Sequence, residues 1–136
     1  MTLTDAGPLV ALIDADEPDH QTCVLVLRSM ALPLVTTCPA FTEAMYLLGR
    51  AGGAAGQQAL WKLALSSRLQ VAELSRPLLE RSAALMAKYA DRPMDLADAS
   101  LVALAEARGE QRIFTLDHGF RAYRLHGRRR FDIIPG

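Results

Sequence analysis

The chain has 136 residues, 51% apolar and 22% charged, which is enough to bury one core and too apolar for disorder, so a single globular domain over 1–136 is expected. Fifteen basic and fifteen acidic side chains cancel, which excludes a global electrostatic pull on nucleic acid and leaves only local charge clusters. The opening "MTLTDAGPLV" has no basic leader, and the longest uncharged run, 29–42, is too short to span a bilayer, so a cytoplasmic protein with no membrane segment is expected.

In chain order, "TLT" (2–4) reads as a brief strand and "PLVALI" (8–13) as a helix with Pro8 near its first position. The acidic turn "DADEPDH" feeds a second helix from about Asp19 to Met30, and "LPLVTT" (32–37) reads as a strand. Pro39 opens the helix "AFTEAMYLLGR", which "AGGAAGQQ" interrupts before a helix through Trp61 to about Ser67. The latter stretch lacks the GK[ST] of a phosphate loop, so a flexible helix–helix connection is expected there. "LQVAEL" (69–74) alternates as a strand does, and Pro77 opens a helix to about Ala90. "PMDLADASLVALAE" then starts a helix that runs to Arg108, with Gly109 as its stop. "RIFTL" (112–116) is a strand, "DHGFRAYR" a short helix and "FDIIP" (131–135) a last strand. Cys23 and Cys38 show neither CxxC nor His-ligand spacing, so reduced, half-buried thiols are expected. His20, His118 and His126 are scattered, and none is expected to act as a nucleophile or ligand.

Alternating strands and helices imply an α/β sandwich around a mainly parallel sheet, with ligands beyond the carboxyl ends of the strands. Asp5 ends the first strand and Asp117 follows "RIFTL", while Asp98 and Glu43 lie in the first turns of two helices. Parallel neighbours share their carboxyl edge, so all four carboxylates can meet in one cleft. Close carboxylates raise one another's pKa unless a cation offsets them, and all-oxygen ligation suits Mg²⁺ or Mn²⁺. Each acid also has a plainer role: Asp5 and Asp117 as helix caps, Glu43 as a surface residue, Asp98 as a partner of the helix dipole. Asp98 borders the apolar stripe formed by Leu101 and Val102, and Glu43 is the only acid between Asp19 and Glu73. Asp95 fits the N-cap of its helix, with an outer-shell role toward the cation as the alternative.

"LTDAGPLVAL", "TEAMYLL", "DLADASLVALAE" and "IFTLDHGFRAYR" resemble, in order and spacing, the four motifs of PIN-domain nucleases, and the resemblance covers nearly the whole chain. It implies a three-layer PIN-like α/β sandwich and RNA phosphodiester cleavage with one or two Mg²⁺ or Mn²⁺ ions. By the same resemblance Asp5, Glu43, Asp98 and Asp117 form the catalytic, metal-binding set. Thr115 steadies them by hydrogen bonding, and Asp95 stays between cap and outer shell. The compact length resembles the toxin half of a bacterial VapBC-type toxin–antitoxin pair, which implies an RNA substrate, a cognate antitoxin and a homodimer. A free-standing RNA-processing nuclease and a metal-free, protein-binding scaffold are the alternatives within the fold. A haloacid-dehalogenase-type phosphotransferase would need an Asp where Gly7 stands, and a response-regulator receiver would need one where "LQVAEL" ends.

Two basic or apolar stretches add to this. "CVLVLRSMAL" is more apolar than one amphipathic face requires, which suits either core or a contact surface. "FRAYRLHGRRRF" (120–131) holds five of the fifteen basic residues and no acid. It leaves from beside Asp117, and Arg121 and Arg124, one helical turn apart, are the candidates for RNA phosphate contact.

Overall fold

The computed structural model describes residues 1–136. Six helices surround a five-stranded sheet in the order β1 (Thr2–Thr4), α1 (Ala6–Ile13), α2 (His20–Leu27), β2 (Leu34–Thr37), α3 (Cys38–Gly52), α4 (Ala54–Ala64), β3 (Leu69–Ala72), α5 (Arg76–Lys88), α6 (Leu96–Arg108) and β4 (Arg112–Phe114). A 3-10 turn (His118–Arg121), the two-stranded hairpin of β5 (Arg124–Leu125) and β6 (Arg129–Arg130), and β7 (Asp132–Ile134) complete the chain. The main sheet is parallel throughout, ordered β3-β2-β1-β4-β7. The chain therefore builds outward from β1 to β3 and then crosses over to place β4 on the other side of β1. That reversal makes the gap beyond β1 and β4 the switch point, where an open parallel sheet leaves a crevice.

Alternating side chains feed the two faces. Leu3, Val35 and Ile113 point to a core closed by α5, α6 and the hairpin aromatics, whereas Leu34 and Leu69 point to one closed by α1, α3 and α4. Phe114 packs with Ala11 and Cys23 under α1 and α2. These are the three layers that the sequence implies. Cys23 is fully buried and Cys38 exposed, so neither is the half-buried thiol expected; both are free. Cys23 faces the sheet from α2, while Cys38 sits at the open start of α3.

Helix α6 is less amphipathic than its sequence indicates, for every residue from Ala97 to Ala105 is buried. Strands β1 and β2, helices α3 and α5 and the hairpin all close on it, and its alanines allow the close approach. The glycine-rich stretch also differs from expectation. Only Gly53 interrupts the helices, with φ of 74°, a conformation that favours glycine, and α4 begins at the next residue. The basic run is neither one helix nor a loop: the 3-10 turn ends at Arg121 and the chain then forms the hairpin. Phe120, Tyr123, Leu125 and Phe131 are buried beneath it, so the apolar residues hidden among the arginines set its shape. No helix is long and apolar enough to cross a membrane.

Leu101, fully buried at the centre of α6, reports on this enclosure. Leu101→Ala is expected to lower unfolding stability by about 2–5 kcal/mol, measured as a fall in the urea midpoint with an unchanged slope.

Candidate active site

The crevice beyond β1 and β4 is acidic. β1 runs straight into Asp5, whose N–H donates to the Phe114 carbonyl at 2.9 Å and so holds the residue against β4. Its side chain caps α1: Ala6 N–H donates to Oδ1 at 2.7 Å, and Thr115 Oγ1 donates to Oδ2 at 2.8 Å. The same Thr115 oxygen accepts the Asp117 N–H at 3.0 Å, and Asp117 Oδ1 accepts the Gly119 N–H at 2.8 Å. Thr115 thus links the Asp5 carboxylate to the Asp117 backbone amide through one buried hydroxyl.

Asp98 enters from α6. Its N–H donates to Asp95 Oδ1 at 2.9 Å, so Asp95 is the N-cap of that helix. The cap points Asp98 into the crevice, where it is 6% exposed, as is Asp5. Carboxylate oxygens of Asp5, Asp98 and Asp117 all lie within 4.8 Å of one another. Glu43, on α3 and half-buried, stands outside that trio. It lines the same cavity of about 260 Å³, together with Gly7, Leu47 and Asp95. The structure therefore gathers all five acids singled out in the sequence, with three in direct proximity and two at the wall.

No positive charge offsets them, since none of the ion pairs involves these residues. Burial pushes the Asp98 carboxyl up from 3.8 to about 7, and the charges of Asp95, Asp5 and Asp117 push the same way. Burial also raises Asp5 and Glu43, each with help from neighbouring carboxylates. Several carboxyls raised together in one crevice mark it as a candidate functional site. An octahedral Mg²⁺ with oxygen ligands at about 2.1 Å sets adjacent ligands about 3 Å and opposite ligands about 4.2 Å apart, so the trio, whose oxygens lie within 4.8 Å of one another, would close further to share one such ion.

Three residues at the site have no counterpart in the sequence expectations. Tyr123, buried, donates its hydroxyl to Asp98 Oδ2 at 3.1 Å. Burial and the adjacent Asp98 carboxylate push that hydroxyl above its ordinary value, so it stays protonated. Thr37 and Ser100 share a buried hydrogen bond of 2.6 Å that ties the start of α3, and hence Glu43, to α6. Only the apolar neighbours Phe120 and Leu125 in the sequence hint that Tyr123 turns inward.

Arg121 is exposed and lines a second cavity of about 230 Å³ with Thr115, Asp117 and His118. Arg124 lies in β5 rather than one helical turn along, and its Nη1 donates to the carbonyls of Arg121 and Tyr123. The two arginines are therefore near one another without forming a single helical face. His20 binds the Ala11 carbonyl through Nδ1, and His118 and His126 are exposed.

The PIN domain profile matches residues 2–125. The chain is 31% identical over 134 residues to Ribonuclease VapC26 of Mycobacterium tuberculosis, covering 98% of this chain and 99% of that one. Among solved structures, the sarcin-ricin-loop-cleaving toxin VapC20 of M. tuberculosis superposes with a TM-score of 0.84 at 23% identity, covering 90% of this chain and 94% of that one. A toxin–antitoxin complex from Klebsiella pneumoniae aligns at a TM-score of 0.65 and 20% identity, over 86% of this chain and 87% of that one.

The raised Asp98 pKa makes the metal-free protein sensitive to pH. The folded state holds this proton more tightly than the unfolded state does. The associated stabilisation is therefore present below about pH 4 and lost as pH rises through about 7, on the order of a few kcal/mol. Asp98→Asn is expected to reduce that loss and to raise the metal-free melting temperature at pH 8, read by scanning calorimetry across the range.

Proposed function

The chain belongs to the PIN domain family, and from that premise we propose that its 136 residues act as one metal-dependent endoribonuclease domain, the toxin of a type II toxin–antitoxin pair. The observation that carries this reading is the meeting of Asp5, Asp98 and Asp117 within 4.8 Å at the switch point of the sheet, with no protein cation beside them. Asp5, Asp98 and Asp117 hold Mg²⁺ or Mn²⁺, and Glu43 completes the set from the cavity wall. A divalent ion held by these carboxylates would supply water activation and charge neutralisation at the phosphodiester, so no Ser, Cys or His nucleophile would be needed. The chain's own part is to fix the carboxylates. Thr115 clamps Asp5 to Asp117, and the Asp95 cap presents Asp98. The relative's name, Ribonuclease VapC26, supports RNA as the substrate class.

The acidic cleft repels a phosphate backbone except at the ions, so the strand is held from the rim. Arg121 contacts a phosphate beside Asp117, while Arg124 adds charge and, through its bonds to the carbonyls of 121 and 123, stiffens the turn that carries Arg121. A groove of about 700 Å³ borders the acidic cavity, sharing Glu43 and Asp95 and walled by Pro39, Tyr46, Leu74 and Leu96. It is the seat we assign to the antitoxin segment, and the Klebsiella pneumoniae complex supports such a partner. Leu25 on α2 and Leu32 beyond it are 60% and 53% exposed, and this apolar surface supports a homodimer.

Purified protein is expected to cleave RNA with Mg²⁺ or Mn²⁺ and to stop when a chelator is added. Asp98→Asn should abolish cleavage without unfolding the chain, whereas Asp95→Asn, which retains a good cap, should lose far less. Chelator-resistant cleavage or full activity of Asp98→Asn would contradict the assignment. Neutralising Arg121 and Arg124 should weaken RNA binding and flatten its salt dependence by roughly one to two counterions, with metal affinity unchanged. A salt series of RNA-binding titrations measures this directly.

A further inference from the structure

We propose that Tyr123 is a positioning residue for the Asp98 carboxylate, and that Gly119 keeps open the gap through which the Tyr123 hydroxyl reaches it; the inference rests on the reading of Asp98 as a metal ligand. The three close acids are held by different devices. Asp5 accepts two hydrogen bonds and Asp117 accepts one from a backbone amide, all from residues within two positions in sequence or on the neighbouring strand end. Asp98 accepts only one, and it comes from Tyr123, on the far side of the turn that follows β4.

Without that donor the Asp98 side chain would be 94% out of water yet without a protein partner, and repulsion from Asp5 and Asp117 would rotate it away from them. With Oδ2 tied at 3.1 Å, the remaining oxygen stays available to the crevice. The donor itself cannot wander. Tyr123 is 2% exposed, and its ring stands edge-on between Tyr89 at 5.2 Å and Phe120 at 5.1 Å. Phe120 is in turn braced by Phe131, so the aromatic cluster under the hairpin aims one hydroxyl at one carboxylate. Position 119 lies between this hydroxyl and Asp117. A Cβ there would sit 3.1 Å from the Tyr123 hydroxyl and 3.2 Å from Asp117 Oδ1, tight enough to displace either. Glycine at 119 is therefore favoured by the approach of two side chains, either of which would have to shift to admit a Cβ, rather than by its backbone angles.

The test measures Mn²⁺ affinity from the paramagnetic resonance signal of the free ion, beside thermal unfolding of the metal-free protein. Tyr123→Phe keeps the ring packing and loses only the hydroxyl, so it should unfold near the wild-type temperature while binding Mn²⁺ about tenfold more weakly. Tyr89→Phe removes a hydroxyl one ring away, which accepts the Arg124 N–H, and should leave Mn²⁺ affinity within about twofold. Gly119→Ala should weaken binding, and its effect should be smaller in the Tyr123→Phe background, because the two act on one contact. Wild-type affinity in Tyr123→Phe, an equal loss in Tyr89→Phe, or an undiminished Gly119→Ala effect in the double variant overturns the proposal. Should Asp98→Asn itself bind Mn²⁺ as the wild type does, the metal reading beneath it falls as well.

Discussion

Mutual repulsion among buried carboxylates is the constraint on which the rest of this structure depends. Asp5 and Asp98 are nearly out of water and Asp117 stands beside them, all within 4.8 Å and with no Lys, Arg or His in partnership. Left to itself such a group would spread apart or take up protons, and the Asp98 carboxyl is raised chiefly by burial, with the neighbouring carboxylates adding to it. What keeps the acids together is a set of short, directional contacts: two caps, a bridging threonine and a buried tyrosine hydroxyl. Local hydrogen bonds thus hold the acids in a geometry that is electrostatically unfavourable on its own.

The topology explains why these contacts meet. Because β4 returns to the side of β1 opposite β2, Asp5 and Thr115 leave adjacent strand ends, and one hydroxyl can span them. Helix α6 crosses above the same edge, held by α5, by α3 and by the hairpin. On the hairpin side Glu106 anchors the turn: it pairs with Arg81 at 2.7 Å and accepts the His126 N–H. Burial alone would raise the Glu106 carboxyl, but the hydrogen bonds from Arg81 and His126 outweigh it and hold it below its ordinary value. The anchor thus stays charged, in contrast to Asp98 two turns earlier on the same helix. One helix carries both a carboxylate that is satisfied by the protein and one that is not.

Much of this was legible in the sequence, for identifiable reasons. A strand followed at once by Asp, and "RIFTLD" ending in another, fix where two acids lie as soon as the sheet is parallel. "PMDLADAS" places a cap and a first-turn acid by helix periodicity alone. The hairpin was not legible, because β5 and β6 are two residues each, below the length at which alternation can be recognised. Its buried Tyr123 and Leu125 are masked by five arginines. Tyr123 could not be assigned to Asp98 since their contact spans the packing of α6 against the hairpin, a tertiary relation that no local pattern encodes. The glycine-rich stretch misled for the opposite reason: its composition indicates flexibility, yet alanine and glutamine carry α4 through it after Gly53.

The central claim is that the crevice beyond β1 and β4 is built to be completed by a divalent cation. Anomalous diffraction from crystals grown with Mn²⁺, collected near the manganese absorption edge, locates such an ion without reference to activity. The account predicts an anomalous peak within coordination distance of the Asp5, Asp98 and Asp117 carboxylates. Saturating Mn²⁺ with no peak there, and the three carboxylates as close together as before, would contradict it.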